Sequence, residues 1–129
     1  MSVLLNHTIV HARDAVASAR FLTEILGLPD PGHVYHFEVV ELSNGASLDY
    51  MDSDRITPQH YAFLVSEAEF DGIYGRIQER GVAHWADPGQ RQAGQINHGD
   101  GGRGVYFADP DGHLMEALTR PYGSGPAEQ

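Results

Sequence analysis

Apolar and β-branched residues fill positions 3–11 in the manner of a strand, and then the period of the pattern changes. From Asp14 onward the spacing is helical. Val16, Ala19, Leu22 and Ile25 recur at three-residue steps among strong helix formers, Asp14 is a natural N-cap and Gly27 supplies the stop. Pro29, Pro31 and Gly32 make a loop that leaves little room for a strand directly after the helix. A strand is expected over 34–42, Asn44-Gly45 signals a two-residue hairpin, and 46–52 pairs back. After Pro58 the pattern restarts: a strand over 59–65, a helix over 68–80 closed by Gly81, short strands over 82–86 and 104–108, and an Asp111-Gly112 turn into 113–119.

Strand, helix, strand and hairpin therefore occur twice. Aligning the starts of the two units pairs NHTIV with QHYAF, so His7 matches His60; aligning their ends pairs NGASLDYM with DGHLMEAL, so Asp49 matches Glu116. The offsets, 53 and 67 residues, differ by 14, and the excess falls in the glycine-rich segment 87–103. A connection of that length is either a mobile flap over a site or a floppy insertion. A duplicated unit of this size must bury the apolar face of a half-sheet and of one helix. Residues from Pro121 on, and 123–129 above all, are expected to form a disordered tail.

Composition narrows the function classes. At 129 residues the chain is about one domain long. It has no cysteine, so neither a disulfide framework nor a thiolate metal site is available. The net charge is −10 and all eight basic residues are arginine, which argues against a nucleic-acid partner. No basic leader and no apolar run long enough for a membrane span stand in the sequence, so a cytoplasmic protein with no membrane partner is expected. A negative field favours cations and neutral small molecules instead.

Strand alternation puts His7 on a face with Leu5, Ile9 and His11, His60 with Ala62 and Leu64, and Glu116 with Leu114 and Leu118. An ionised carboxylate among leucines costs several kcal/mol unless it is paired or bound to a cation. Two neutral imidazoles and one carboxylate on separate strands can hold Fe(II), Mn(II), Ni(II) or Zn(II) with positions left open for substrate. Any one of these histidines, taken singly, reads more readily as a hydrogen-bonded core or surface imidazole than as a ligand.

The repeated unit, the histidine near the start of each half and the closing string GVYFADPDGHLMEALTRP closely resemble the vicinal oxygen chelate superfamily over residues 3–120. That superfamily includes glyoxalase I, extradiol dioxygenases, fosfomycin-resistance thiol transferases and bleomycin-resistance proteins. The resemblance implies an α+β fold in which two βαβββ modules, about 3–53 and 59–120 of a single glyoxalase-like domain over 1–122, form a cupped, mixed eight-stranded sheet with the helices outside. It implies a divalent metal held by His7, His60 and Glu116, and a C2 homodimer. Asp49 occupies a fourth ligand position used in glyoxalases, but it is one methylene shorter than the usual glutamate and is expected beside the metal or reaching it through water. Tyr106 stands where the similar thiol transferases carry a substrate-contacting tyrosine. His11 is a candidate acid or base, and Asn97, His98 and Arg103 are candidate substrate contacts from the 87–103 segment. The function expected is a metal-dependent lyase, isomerase or dioxygenase acting on a small oxygenated metabolite. The alternatives are a metal-free bleomycin-resistance-type binding protein and a fosfomycin-type thiol transferase.

Overall fold

The computed structural model describes residues 2–125, which divide between Thr57 and Pro58 into two compact units. The first runs β1 (His7–Ala12), α1 (Ala15–Leu26), β2 (Gly32–Val34), β3 (Phe37–Glu41) and β4 (Ser47–Asp52). The second runs β5 (His60–Leu64), α2 (Glu67–Glu79), β6 (His84–Trp85), β7 (Gly104–Ala108) and β8 (Leu114–Leu118). The eight strands form two four-stranded mixed sheets, ordered β1-β4-β3-β2 and β5-β8-β7-β6, so each unit is one βαβββ module. In each, the first strand lies parallel to the last and the remaining pairs are antiparallel.

Register carries the duplication down to single residues. One row across the first sheet reads Ile9, Asp49, Val39, Gly32, and the corresponding row across the second reads Ala62, Glu116, Tyr106, Trp85. His7 faces Ser47 across the ladder as His60 faces Leu114. The expected equivalence of Asp49 with Glu116 and of His7 with His60 is thus a feature of the sheets themselves.

Alternation then sorts core from site. Val10, Ala12, Val40, Leu48 and Tyr50 are buried beneath α1, which offers Ala15, Ala19, Leu22 and Ile25. Val105, Phe107, Met115 and Ala117 are buried with Phe70, Ile73 and Ile77 of α2. Burying such side chains, at roughly 1.5–3 kcal/mol each, fixes which sheet face is closed and leaves the histidine-bearing face available. Asp14 caps α1 by accepting from the Ala17 N–H at 3.1 Å, and Gly27 ends it at φ 72°. Ser66 and Glu69 form a reciprocal capping box on α2.

Four local expectations change. Val16 is 52 % exposed, because the buried stripe of α1 runs through Ala15 rather than Val16. Val3, Leu4 and Leu5 are exposed and outside β1, which starts where β4 first offers a partner at Ser47. The expected strand 34–42 is broken: Tyr35 takes φ 55°, the chain turns back at Tyr35-His36, and Gly32–Val34 becomes a strand where the prolines left little room. The Asn44-Gly45 turn is a three-residue loop, 43–45, closed by Leu42 N–H to Ala46 O at 2.8 Å, with Gly45 at φ 90°.

Segment 87–103 is stitched down rather than open. The Asp87 carboxylate accepts from Arg91 and Gln92 N–H, Gly94 N–H donates to His84 O, and Asn97 pairs with Gly104 through both backbone groups. Of the expected tail, 126–129 lie outside the described residues, while Gly123 and Gly125 donate their N–H groups to the carboxylate of Asp100. Among the described residues no helix is long and apolar enough to cross a membrane.

Candidate functional site

The open face of the second sheet holds the strongest chemical arrangement in the chain. His60, at the start of β5, has its Nδ1 at 2.9 Å from Leu114 O on the adjacent β8. A carbonyl oxygen only accepts, so Nδ1 carries a proton and donates it, and Nε2 is the ring nitrogen turned toward Glu116. That Nε2 lies 3.1 Å from Oε1 of Glu116. Glu116 is 9 % exposed and is flanked on its strand face by Leu114 and Leu118. A carboxylate and a basic nitrogen side by side, the imidazole locked by a backbone carbonyl behind it, are the donor set and outer-shell support a divalent metal ion takes. The residues present therefore fit a metal. Within neither unit do three His, Asp or Glu side chains among the described residues gather as a metal-holding group. The second module supplies a pair.

Tyr106 sits beside this pair. Its ring stacks on His60 with centroids 5.9 Å apart, and its phenol donates to Glu116. Burial first, then the charge of Glu116 and the hydrogen bond to it, push the Tyr106 phenol up to about 12. At neutral pH it is an O–H donor, not a phenolate. In metal-free protein, Tyr106→Phe is accordingly expected to remove a tyrosinate absorbance step near pH 12 and leave ionisation around 10 unchanged, read by ultraviolet titration. Loss of a step around 10 instead would contradict this placement.

The first module carries the counterpart face. His7, exposed at the start of β1, has its Nδ1 2.7 Å from Asn6 Oδ1, which leaves Nε2 as the ring nitrogen not engaged by Asn6. Asp49 is half-buried and accepts from Ser47 Oγ at 2.7 Å. His7, Asn6, Ser47 and Asp49 line one end of a cavity of about 340 Å³ whose other walls come from β2 and β3. His11 is exposed further along β1.

The candidates from 87–103 have other work. Asn97 donates from Nδ2 to Ala86 O at 2.8 Å and accepts Gly99 N–H, so its side chain closes the loop on itself. Arg103 is laid on α2, with Nε 2.7 Å from Glu67 Oε1, Nη2 2.9 Å from Asp71 and the guanidinium 4.6 Å from the Phe70 ring centroid. Helix α2 covers the buried sheet face, opposite His60 and Glu116, which takes Arg103 away from the site. His98 precedes the short 3-10 turn Gly99–Gly101 and contributes to the field at Glu67 on that same side.

Sequence reasoning passed over His113. Its ring is 1 % exposed and its Nδ1 accepts the N–H of Gln59, the residue before His60, at 3.0 Å. Asp109 Oδ1 in turn accepts the N–H groups of Asp111 and His113. The signal was present in the DPDGH string as a polar residue opening a buried strand, but it reads as a turn until its partner across the sheet is known.

A family model described as the Glyoxalase/Bleomycin resistance protein/Dioxygenase superfamily matches residues 4–117. The glutathione transferase FosA of Serratia marcescens is 31 % identical over 121 residues, which cover 87 % of this chain and 77 % of that protein. Among solved structures, oxidase ChaP-H2 is 63 % identical with a TM-score of 0.94, covering 97 % of this chain and 99 % of that one. Oxidase ChaP-H1 is 62 % identical with a TM-score of 0.93, over 95 % of this chain and 99 % of the other.

Proposed function

Because the chain belongs to the glyoxalase/bleomycin resistance protein/dioxygenase superfamily, we propose that it is a metal-dependent oxidase that uses dioxygen on a small oxygenated metabolite. Its ligands are His60 and Glu116, with His7 of the same chain or of a second copy in a homodimer as the third. The observation that carries this reading is the locked imidazole: Leu114 O holds the Nδ1 proton and presents Nε2 beside a carboxylate enclosed by leucines. A divalent ion there supplies Lewis acidity and open positions for neighbouring substrate oxygens. The chain's own groups do the rest. Tyr106, kept protonated, offers its O–H to a substrate oxygen or to Glu116, and Leu114 and Leu118 exclude water from the carboxylate. Asp49, engaged by Ser47, stands outside the ligand set. High identity to two proteins described as oxidases supports the reaction class.

A fosfomycin-type thiol transferase is the second reading, favoured by the likeness to FosA. It needs cations for an anionic substrate. Arg103 is committed to Glu67 and Asp71, and Arg120 donates from Nε to Asp100 O and from Nη2 to Gly125 O. The test is metal analysis of protein purified without chelator and reconstituted with Fe(II), Mn(II), Ni(II) or Zn(II). Wild type is expected to retain about one ion per chain and Glu116→Ala none. Wild type that holds no ion even after reconstitution would overturn the metalloenzyme and favour a metal-free binding protein, and equal retention by Glu116→Ala would remove Glu116 from the ligand set.

A further inference from the structure

After β8 the chain does not simply leave the sheet. It turns back onto the 3-10 turn Gly99–Gly101 and is fastened there. Arg120 donates from Nε to Asp100 O at 3.0 Å and from Nη2 to Gly125 O at 3.1 Å. The Asp100 carboxylate accepts the N–H groups of Gly123 and Gly125, at 3.1 and 2.8 Å, one on each oxygen. Between these anchors Ser124 N–H donates to Pro121 O at 3.0 Å and Gly123 takes φ 79°, so 121–124 is a tight turn with Tyr122 at its tip.

The loop that receives the tail is shaped for it. Asp100 holds φ 56°, a conformation that a residue with a side chain keeps only where the surroundings compensate, and both of its oxygens are engaged. Gly102 is buried, and a Cβ on it would stand 2.5 Å from Arg120 Cγ and 2.5 Å from Thr119 Oγ1. Charge-assisted hydrogen bonds and this close approach make 119–125 a strap.

The strap begins beside the site. Leu118 pairs with Gly104, two positions along β7 from Tyr106 and two along β8 from Glu116. Tyr122 reaches back far enough for its phenol to add to the field at the Tyr106 phenol, as does Asp87 at the start of the 87–103 segment. Its ring is nonetheless 90 % exposed, so packing within the chain does not account for it. A firmly held backbone that presents an aromatic ring to solvent beside a reactive pair suits contact with an incoming molecule.

Resting on the function proposed above, we propose that Tyr122 is a specificity-determining residue, held by the Asp100 latch at the mouth of the His60–Glu116 site, where its ring packs on the apolar part of the bound substrate. Asp100 and Arg120 are positioning residues that set where the ring stands. Opening the latch therefore weakens the apolar contact and leaves the polar end of the substrate unaffected.

The experiment is calorimetric titration of Zn(II)-reconstituted protein with acetohydroxamate and hexanohydroxamate, probes with the same polar head and different alkyl chains. Wild type is expected to bind the longer probe about tenfold more tightly. Tyr122→Ala and Asp100→Gly, the latter suited to a positive φ, should each reduce that preference to about threefold or less with acetohydroxamate affinity unchanged. Asp100→Asn, which keeps an acceptor oxygen and tolerates the left-handed region, should retain most of it. In metal-free protein, chymotrypsin should release the peptide beginning at Gly123 about tenfold faster from Asp100→Gly than from wild type, read by mass spectrometry. A preference for the longer probe that survives Tyr122→Ala would overturn the contact, and equal cleavage of wild type and Asp100→Gly would overturn the latch. Retained Zn(II) with equal affinities for the two probes would sink the role of Tyr122 alone; a wild type that retains no Zn(II) and binds neither probe would remove the metalloenzyme and the contact together.

Discussion

Replacing His60 by alanine is expected to lower affinity for Mn(II) or Zn(II) by more than about 100-fold while leaving the chain folded. Outer-shell partners of metal ligands are worth 10–100-fold each, and loss of a direct nitrogen donor should exceed that. The fold should tolerate the change because His60 is at the first position of β5 with its ring half exposed, and its backbone pairing with β8 does not depend on the side chain. Isothermal titration with and without the substitution gives the affinity, and circular dichroism gives the fold. The variant also leaves Glu116 with the Tyr106 phenol but without the imidazole beside it. An affinity within about threefold of wild type would show that the ion, if one binds, sits elsewhere.

His113→Leu should act on the same nitrogen from behind. The substitution keeps an apolar shape but removes the acceptor of the Gln59 N–H, stranding a donor one residue from His60. An orphaned donor costs about 1–3 kcal/mol when buried, and this part-buried one falls toward the lower end of that range. If His113 also sets the position of β5, metal affinity falls by about 10–100-fold in addition, as for other groups that orient ligands. His113→Asn carries a side-chain oxygen that can accept the same N–H, and it should recover part of both losses. A purely structural histidine would lower the unfolding midpoint in urea and leave the metal affinity of the folded protein at the wild-type value; the two readouts together decide.

How much of this was legible beforehand follows the range of the interactions involved. The duplication, both helices and the pairing of Asp49 with Glu116 could be read because caps, periodicity and internal similarity are written locally: Asp14, Gly27 and the NGASLDYM and DGHLMEAL strings declare themselves. The Tyr35 turn could not, since nothing in an aromatic residue announces a positive φ, and the strand expected over 34–42 hid a hairpin. The surroundings of Arg103 were hidden for a different reason. Its role depends on Glu67 and Asp71, 36 and 32 positions earlier, which come within reach only when α2 is laid on the sheet. His113 shows the same limit, with its partner Gln59 54 residues away.

The parallel pairing of first and last strands has a temporal side. In the second module β5 is made early and has no strand partner in its sheet until β8, the final strand, comes in between it and β7. His60 and Glu116 are 56 residues apart in sequence, so closing that loop precedes any contact between them. A nascent chain that has reached Ala108 already has its imidazole, its helix and its tyrosine, but not the carbonyl that fixes the proton or the carboxylate beside it. The reactive pair therefore belongs to the last act of synthesis, and a chain clipped before Leu114 would carry half of it.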